Sequence, residues 1–149
     1  MSRPLEHLLV PVDFGESSQG ALEMAIQLAQ QLKARVTLVH VYEIPSYVYG
    51  GMTYATADLF APIEEGARIH LDGLVAKVKE RVPDVRGVLR RGNAAPEILA
   101  VAEQVKPDLL VMGTHGRTGM TRMLLGSVAE KIVRLAPVPV LTVRGPHPS

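Results

Sequence analysis

Five short runs rich in valine and leucine constrain the fold of this chain most strongly, because stretches of helical periodicity separate them. The first, second and fourth runs are apolar at nearly every position, which is typical of strands covered on both faces. The alternating order predicts an α/β fold with a doubly wound, five-stranded and mostly parallel sheet. Right-handed crossovers leave few topologies, of which strand order 3-2-1-4-5 is one natural solution. The predicted strands are His7–Asp13, Arg35–Tyr42, Val85–Arg91, Asp108–Gly113 and Val138–Arg144.

Apolar residues at helical spacing predict four crossover helices with their stripes towards the core. Ser17 is expected to cap the first helix and Asn93 precedes the third, while the fourth follows Ser127. The stripes of the first, second and fourth helices include Leu22, Ala25, Ile26, Ala29 and Leu32, then Phe60, Ile63, Ala67, Leu71, Leu74 and Val78, then Val128, Ile132 and Leu135.

The irregular segment Glu43–Leu59 is predicted as a long connection after the second strand. All four tyrosines fall between Tyr42 and Tyr54, within or beside it. Long connections inside a compact domain are usually functional or mobile, and tyrosine is favoured in recognition surfaces. Two interpretations stay open: a mobile lid or partner surface, and a loop whose aromatic side chains pack back on the helices.

Bulk properties exclude several function classes. The 149 residues predict a single domain over residues 1–149. A net charge of +1 favours neither nucleic acid nor an anionic membrane as a partner. The absence of cysteine removes disulfides and thiolate chemistry. No signal peptide and no apolar run long enough to span a bilayer is found, so we expect no membrane insertion and a cytoplasmic protein.

The glycine-rich run from Gly113 to Ser127 begins where an apolar strand ends and finishes where a helix begins. Glycines allow the backbone to come close to a ligand, and successive N–H groups with a helix start form an anion site. Four basic residues against one acidic residue give the stretch from Gly113 to Arg134 a local net charge of +3. The alternative is a simple turn followed by a capping box, Ser127-x-x-Glu130. The run therefore predicts a phosphate site without proving one.

The predicted topology strengthens this interpretation. With strand order 3-2-1-4-5, Asp13 and Gly113 close the two strands that flank the switch point, where open α/β sheets bind ligands. Asp13 is then placed to accept hydrogen bonds from ribose hydroxyls, although an aspartate there also commonly caps a turn. Neither GxxxxGK[ST] nor GxGxxG is present, which disfavours P-loop and dinucleotide-binding proteins.

Three segments together resemble the universal stress protein family, in its ATP-binding branch, across essentially the whole chain. They are the opening run Leu8-Leu9-Val10-Pro11-Val12-Asp13, the pair His40-Val41, and the spacing Gly113-x2-Gly116-x9-Gly126-Ser127. The glycine spacing is the specific part, and the closing strand from Pro137 to Val143 also resembles the family's ending.

The resemblance implies ATP in the crevice, with Mg²⁺ or Mn²⁺ on its phosphates. Asp13 would contact the ribose and Val41 the adenine, and Arg117 and Thr118 would reach the phosphate tail. The remaining cofactor-binding residues implied are Pro11, Val12, Met112, Gly113, Gly116, Gly126, Ser127 and Val128. The resemblance also implies a homodimer that pairs through the strand Val138–Arg144.

The leading functional hypothesis is an ATP-binding regulatory protein of the stress response. The first alternative is a slow ATPase or nucleotidyl transferase that uses the same pocket. No convincing general base is evident in the sequence, and His115 is more simply a structural or solvent-facing histidine. The second alternative is a dimerisation module with a vestigial pocket, which the intact glycine spacing disfavours.

Overall fold

A computed structural model describes residues 4–43, 56–114 and 125–144. Five parallel strands form one sheet in the order β3-β2-β1-β4-β5, which confirms the predicted fold class and strand order. The strands are β1 His7–Pro11, β2 Arg35–Tyr42, β3 Val85–Arg91, β4 Leu109–Gly113 and β5 Val140–Val143. The helices of the described residues are α1 Glu16–Leu32, α2 Thr56–Lys79, α3 Ala94–Val105 and α4 Ser127–Leu135.

Each face of the sheet buries its own hydrophobic cluster, because successive strand residues point to opposite faces. Leu8 and Val10 of β1 pack with α1 and α2, whereas Leu9 packs with α3 and α4. The same alternation in β4 sends Val111 to the first cluster and Leu110 and Met112 to the second. Both faces are therefore covered, which explains the nearly continuous apolar sequence of the central strands.

Three predicted strands are longer than the observed ones. β1 ends at Pro11 rather than Asp13, because the chain turns there and the Gly15 N–H donates to Asp13 Oδ1 (2.9 Å). β4 begins at Leu109 rather than Asp108. β5 covers Val140–Val143 rather than Val138–Arg144, since Pro139 has no N–H to extend the ladder.

Glycines, rather than serines, precede helices α1 and α4. Gly15 is the N-cap of α1, so the predicted cap Ser17 lies inside the first turn. Gly126 is the N-cap of α4 and Ser127 is its first residue. Neither cap makes a side-chain hydrogen bond, so the capping box considered for Ser127 and Glu130 does not form.

The second crossover begins earlier than the sequence suggested. Helix α2 starts at Thr56, so the last four residues of the predicted connection Glu43–Leu59 belong to the helix. Tyr42 is buried and packs against Phe60, as the second interpretation of the tyrosines expects for this residue. The other three tyrosines lie outside the described residues.

Three residues of the predicted apolar stripes are exposed instead of buried: Leu32, Ile63 and Leu135. Leu32 and Leu135 are the last residues of α1 and α4. Within the part of the chain that the structure describes, no helix is long and apolar enough to cross a membrane.

His7 is a buried titratable residue at the amino end of the central strand. Its Nε2 is hydrogen-bonded to Thr37 Oγ1 (2.7 Å), while its buried Nδ1 has no hydrogen-bond partner among the described residues. Burial, and secondarily the positive charge of Arg35, lower the pKa of His7 from its ordinary 6.5.

Replacing His7 with glutamine should flatten the pH dependence of stability in mild acid. The unfolded chain protonates His7 near pH 6.5 and the folded chain only at lower pH, so the unfolded state binds more protons within that window. The stability from a neutral His7 is complete above pH 6.5 and is lost as the pH falls below it. Wild type should lose up to about 1.4 kcal/mol per pH unit relative to His7→Gln there. Urea unfolding measures the stability of both proteins across this pH range. The same change of stability with pH in both would contradict this role of His7.

Candidate functional site

A cleft opens at the carboxyl ends of the parallel strands, where β1 and β4 lie side by side. It encloses about 550 Å³ of space, including its open mouth. Seven of the twelve residues predicted for the site line it, namely Pro11, Val12, Asp13, Val41, Met112, Gly113 and Val128. These residues come from β1 and the turn after it, β2, β4 and α4, so the fold brings together positions that are far apart in sequence.

The other five predicted residues do not line the cleft as described. Gly126 and Ser127 are described, but they lie beside its walls at the start of α4. Gly116, Arg117 and Thr118 lie outside the described residues, as does His115.

Five residues of the cleft were not predicted from the sequence: Ser18, Val39, Ala94, Ile98 and Ala129. Two of them had a usable pattern. Ser18 continues the buried stripe of α1 by one turn, and Val39 shares a strand face with Val41. Ala94 and Ile98 are one turn apart at the start of α3, but the sequence alone does not show which helix covers the crevice.

The lining combines apolar walls with a few polar groups. Val39, Val41, Ile98 and Met112 present aliphatic surface from two strands and a helix, which suits a flat ring. Asp13 adds a carboxylate, and Ser18 adds a buried hydroxyl. The cleft therefore offers an apolar compartment beside an oxygen-rich one.

Hydrogen bonds fix the backbone around Asp13. The Asp13 N–H donates to Ser18 Oγ (3.2 Å) and the Gly15 N–H donates to Asp13 Oδ1 (2.9 Å). Asp13 therefore does form the turn considered as the simpler interpretation. That bond occupies one site of a carboxylate that has about four lone-pair sites.

Phe14, the next residue, has a left-handed backbone with φ 66°. This conformation costs a residue with a Cβ roughly 1–2 kcal/mol. The Phe14 ring packs against the rings of His40 (4.5 Å between centroids) and His70 (5.2 Å). These contacts help to stabilise a strained residue directly after Asp13.

The two described ends of the glycine run lie next to each other. The Gly126 N–H donates to the Thr114 carbonyl oxygen (2.6 Å), which joins the end of β4 to the start of α4. The first N–H groups of α4 have no partner within the helix and carry the positive end of its dipole. An anion at this position would contact the free N–H groups at the start of α4, where the glycine run predicted a phosphate site.

Gly113 is required by packing as well as by any ligand. A Cβ at this position would lie 2.7 Å from the Ser17 carbonyl oxygen and 2.8 Å from its carbonyl carbon, and would also clash with Ser17 Oγ. Helix α1 thus approaches β4 so closely that only glycine fits.

Within residues 4–43, 56–114 and 125–144, no group of three or more histidine, aspartate or glutamate side chains is placed to hold a metal ion.

The sheet order and the cleft at its switch point define a doubly wound α/β protein with a ligand cleft beyond the carboxyl ends of β1 and β4. The family model "Universal stress protein family" matches residues 4–144, and the chain belongs to that family. Universal stress protein MJ0531 of Methanocaldococcus jannaschii is 34% identical over 145 residues, covering 93% of this chain and 82% of the relative.

Solved structures of the family share the fold. Universal stress protein UspA from Lactobacillus plantarum superposes with a TM-score of 0.79 at 23% identity, covering 96% of this chain and 100% of that one. A universal stress protein in complex with cAMP gives 0.66 at 23% identity, covering 97% and 100%. A family member from Arabidopsis thaliana with AMP bound gives 0.67 at 18% identity, covering 95% and 92%. At these identities the likeness establishes the fold alone.

Gly113→Ala should destabilise the protein even without any ligand, because the new Cβ would force α1 away from β4. Overpacking of this kind costs about 1–3 kcal/mol. The matched control is Gly73→Ala in α2, where a Cβ meets nothing within 4 Å. That change should stabilise by about 0.4–1 kcal/mol, because alanine favours a helix. Urea unfolding measures both, and equal effects would contradict the packing role of Gly113.

Proposed function

We propose that this chain is an ATP-binding universal stress protein that acts as a nucleotide-dependent regulatory module of the stress response. The observation that carries the proposal is that Asp13, Val41, Met112 and Val128, which the family resemblance implies for a nucleotide, all line one cleft at the switch point. The family relatives bound to cAMP and AMP support a nucleotide with an adenine, a ribose and a phosphate.

The cleft suits the separate parts of such a ligand. The apolar compartment of Val39, Val41, Ile98 and Met112 would receive the adenine. Asp13 would accept hydrogen bonds from ribose hydroxyls. The start of α4, with Gly126, Ser127 and Val128, would face the phosphates.

The remaining parts of the ligand site are proposed from the family's glycine spacing. Gly116, Arg117 and Thr118 would enclose the phosphate tail, with Mg²⁺ or Mn²⁺ bound mainly through the phosphates. Residues 1–149 would act as one nucleotide-binding domain in the cytoplasm. In this proposal ATP is held, and no described residue is assigned a catalytic role.

A homodimer through β5 is the second part of the proposal. β5 is an edge strand whose four residues are half-buried, and an edge of this kind invites pairing with a second copy. The carbonyl oxygens of Pro139 and Val143 accept from β4, at Leu110 N (3.0 Å) and Thr114 N (3.1 Å). Because backbone polar groups alternate in direction along a strand, those of Val140 and Thr142 point to the open edge. Pro139, which has no N–H, therefore faces β4 and leaves the open edge intact.

Ala94→Leu is expected to weaken ATP binding by filling the cleft. Ala94 lines the cleft from the first turn of α3. We expect the affinity for ATP to fall by about ten-fold or more, which corresponds to roughly 1.4 kcal/mol of binding free energy for each factor of ten. The matched control Ala100→Leu makes the same change at an exposed position of α3 and should bind as wild type does. Isothermal titration with ATP and Mg²⁺ measures affinity, and analysis of the recovered nucleotide distinguishes holding from hydrolysis. A wild-type protein that binds no adenine nucleotide would refute the proposal, and equal affinities in the two variants would move the site elsewhere.

Thr142→Pro should convert the proposed dimer to a monomer. Proline removes the outward N–H of Thr142 without removing a hydrogen bond to β4, and its fixed φ suits an edge strand. Thr142→Val retains the N–H and serves as the control that remains dimeric. Light scattering coupled to size exclusion gives the mass, and circular dichroism confirms the fold. An unchanged mass in a folded Thr142→Pro protein would place any dimer contact outside this strand edge.

A further inference from the structure

His40 lies behind the cleft rather than in it. It is near the carboxyl end of β2, next to Val41, which lines the cleft from the other face of the sheet. The His40 ring packs on Phe14 on the side covered by α1 and α2. Its effect on a ligand would therefore pass through the backbone between them.

The hydrogen bond of His40 determines which ring nitrogen carries a proton. His40 Nδ1 lies 2.8 Å from the Val12 carbonyl oxygen. Because a carbonyl oxygen only accepts, Nδ1 is the donor. Val12 is buried, so an apolar residue at position 40 would remove a hydrogen bond from a buried carbonyl group.

That carbonyl belongs to the peptide that leads into Asp13. The nitrogen of the same peptide, Asp13 N, donates to Ser18 Oγ (3.2 Å), so the peptide is held at both of its polar atoms. The preceding amide, Val12 N, donates to the Val39 carbonyl oxygen (2.8 Å). On the far side, the Gly15 N–H holds Asp13 Oδ1. The orientation of the Asp13 carboxylate therefore depends on bonds from β2, from α1 and from Gly15 at the start of α1, and His40 supplies the side-chain donor among them.

We propose that His40 is a positioning residue that orients the Asp13 carboxylate for the ribose hydroxyls of a bound nucleotide, acting through the Val12–Asp13 peptide. This inference rests on the nucleotide-binding function proposed above. The Phe14 ring packs on the His40 ring, and this contact supports the backbone conformation of Phe14, the residue after Asp13.

The test compares binding of ATP and of 2′,3′-dideoxyATP, which lacks the hydroxyls that Asp13 would contact. Wild type should prefer ATP by about ten-fold or more, as expected for hydrogen bonds to a charged group. In His40→Leu the ratio of the affinities for ATP and 2′,3′-dideoxyATP should fall close to one. His40→Asn places an amide N–H near the position of Nδ1 and should restore the preference. General destabilisation would weaken both ligands together and leave their ratio unchanged.

His70→Leu is the matched control. It removes the other histidine ring from Phe14 but leaves the bond between His40 Nδ1 and the Val12 carbonyl oxygen in place, so the wild-type preference should persist. Thermal unfolding establishes that each variant is folded. If His40→Leu does not fold, His40→Gln replaces it, because its amide is one methylene farther out than that of asparagine.

The possible results separate this inference from the proposed function. A wild-type protein that binds neither nucleotide refutes the proposed function, and this inference falls with it. Binding of ATP with no preference over the dideoxy compound, or an unchanged preference in His40→Leu, overturns the inference and leaves ATP binding standing. Histidine ¹⁵N spectra of the ligand-free protein give an independent readout: a His40 ring protonated at Nε2 alone would also overturn the inference.

Discussion

The position of the cleft follows from the reversal of strand order between β1 and β4. The chain leaves β1 towards α1 on one face of the sheet, and it leaves β4 towards α4 on the other face. Because the two connections diverge, no backbone fills the space above this pair of strands, and a crevice remains at their carboxyl ends. The side chains that follow both strands, including Asp13, then face one another across it. Every residue that we assign to the ligand depends on this divergence.

The sequence predicted those parts of the fold and site that follow from local patterns. Apolar runs and helical stripes predicted the alternation of strands and helices and left few sheet orders, of which the observed one was a natural solution. The positions where β1 and β4 end then indicated Asp13 and Gly113. The contribution of α3 was not predicted, because covering the crevice with Ala94 and Ile98 depends on how a helix packs across the sheet. The predicted cap of α1 was wrong for a different reason. Ser17 has a suitable side chain for a cap, but the turn at Asp13 leads directly into the helix, which begins one residue after Gly15. The strand β5 was overestimated, since an apolar sequence does not show where the pairing with β4 stops.

The glycine spacing combines two separate physical requirements. Gly113 lies against the backbone of Ser17, so the requirement for glycine there is set by the packing of α1 on β4. Gly126 precedes α4, and its N–H closes the run onto Thr114. One glycine thus allows two elements to approach each other, and the other positions a helix start towards the cleft. A motif selected for binding alone would not need the first property, so its loss would affect folding before it affected any ligand.

Asp13 shows why a structural role and a binding role are compatible in one residue. Its turn to Gly15 was the simpler explanation of an aspartate after a strand, and that turn does form. The bond nevertheless restricts the carboxylate rather than consuming it, because one N–H occupies one of about four lone-pair sites. A side chain held in this way has little rotational freedom left to lose when it accepts a ligand's hydroxyls, and pre-organisation of this kind strengthens binding. The strained Phe14 and the donor His40 belong to the same local arrangement, so the residues that form the turn are also those expected to determine how well Asp13 recognises a ribose.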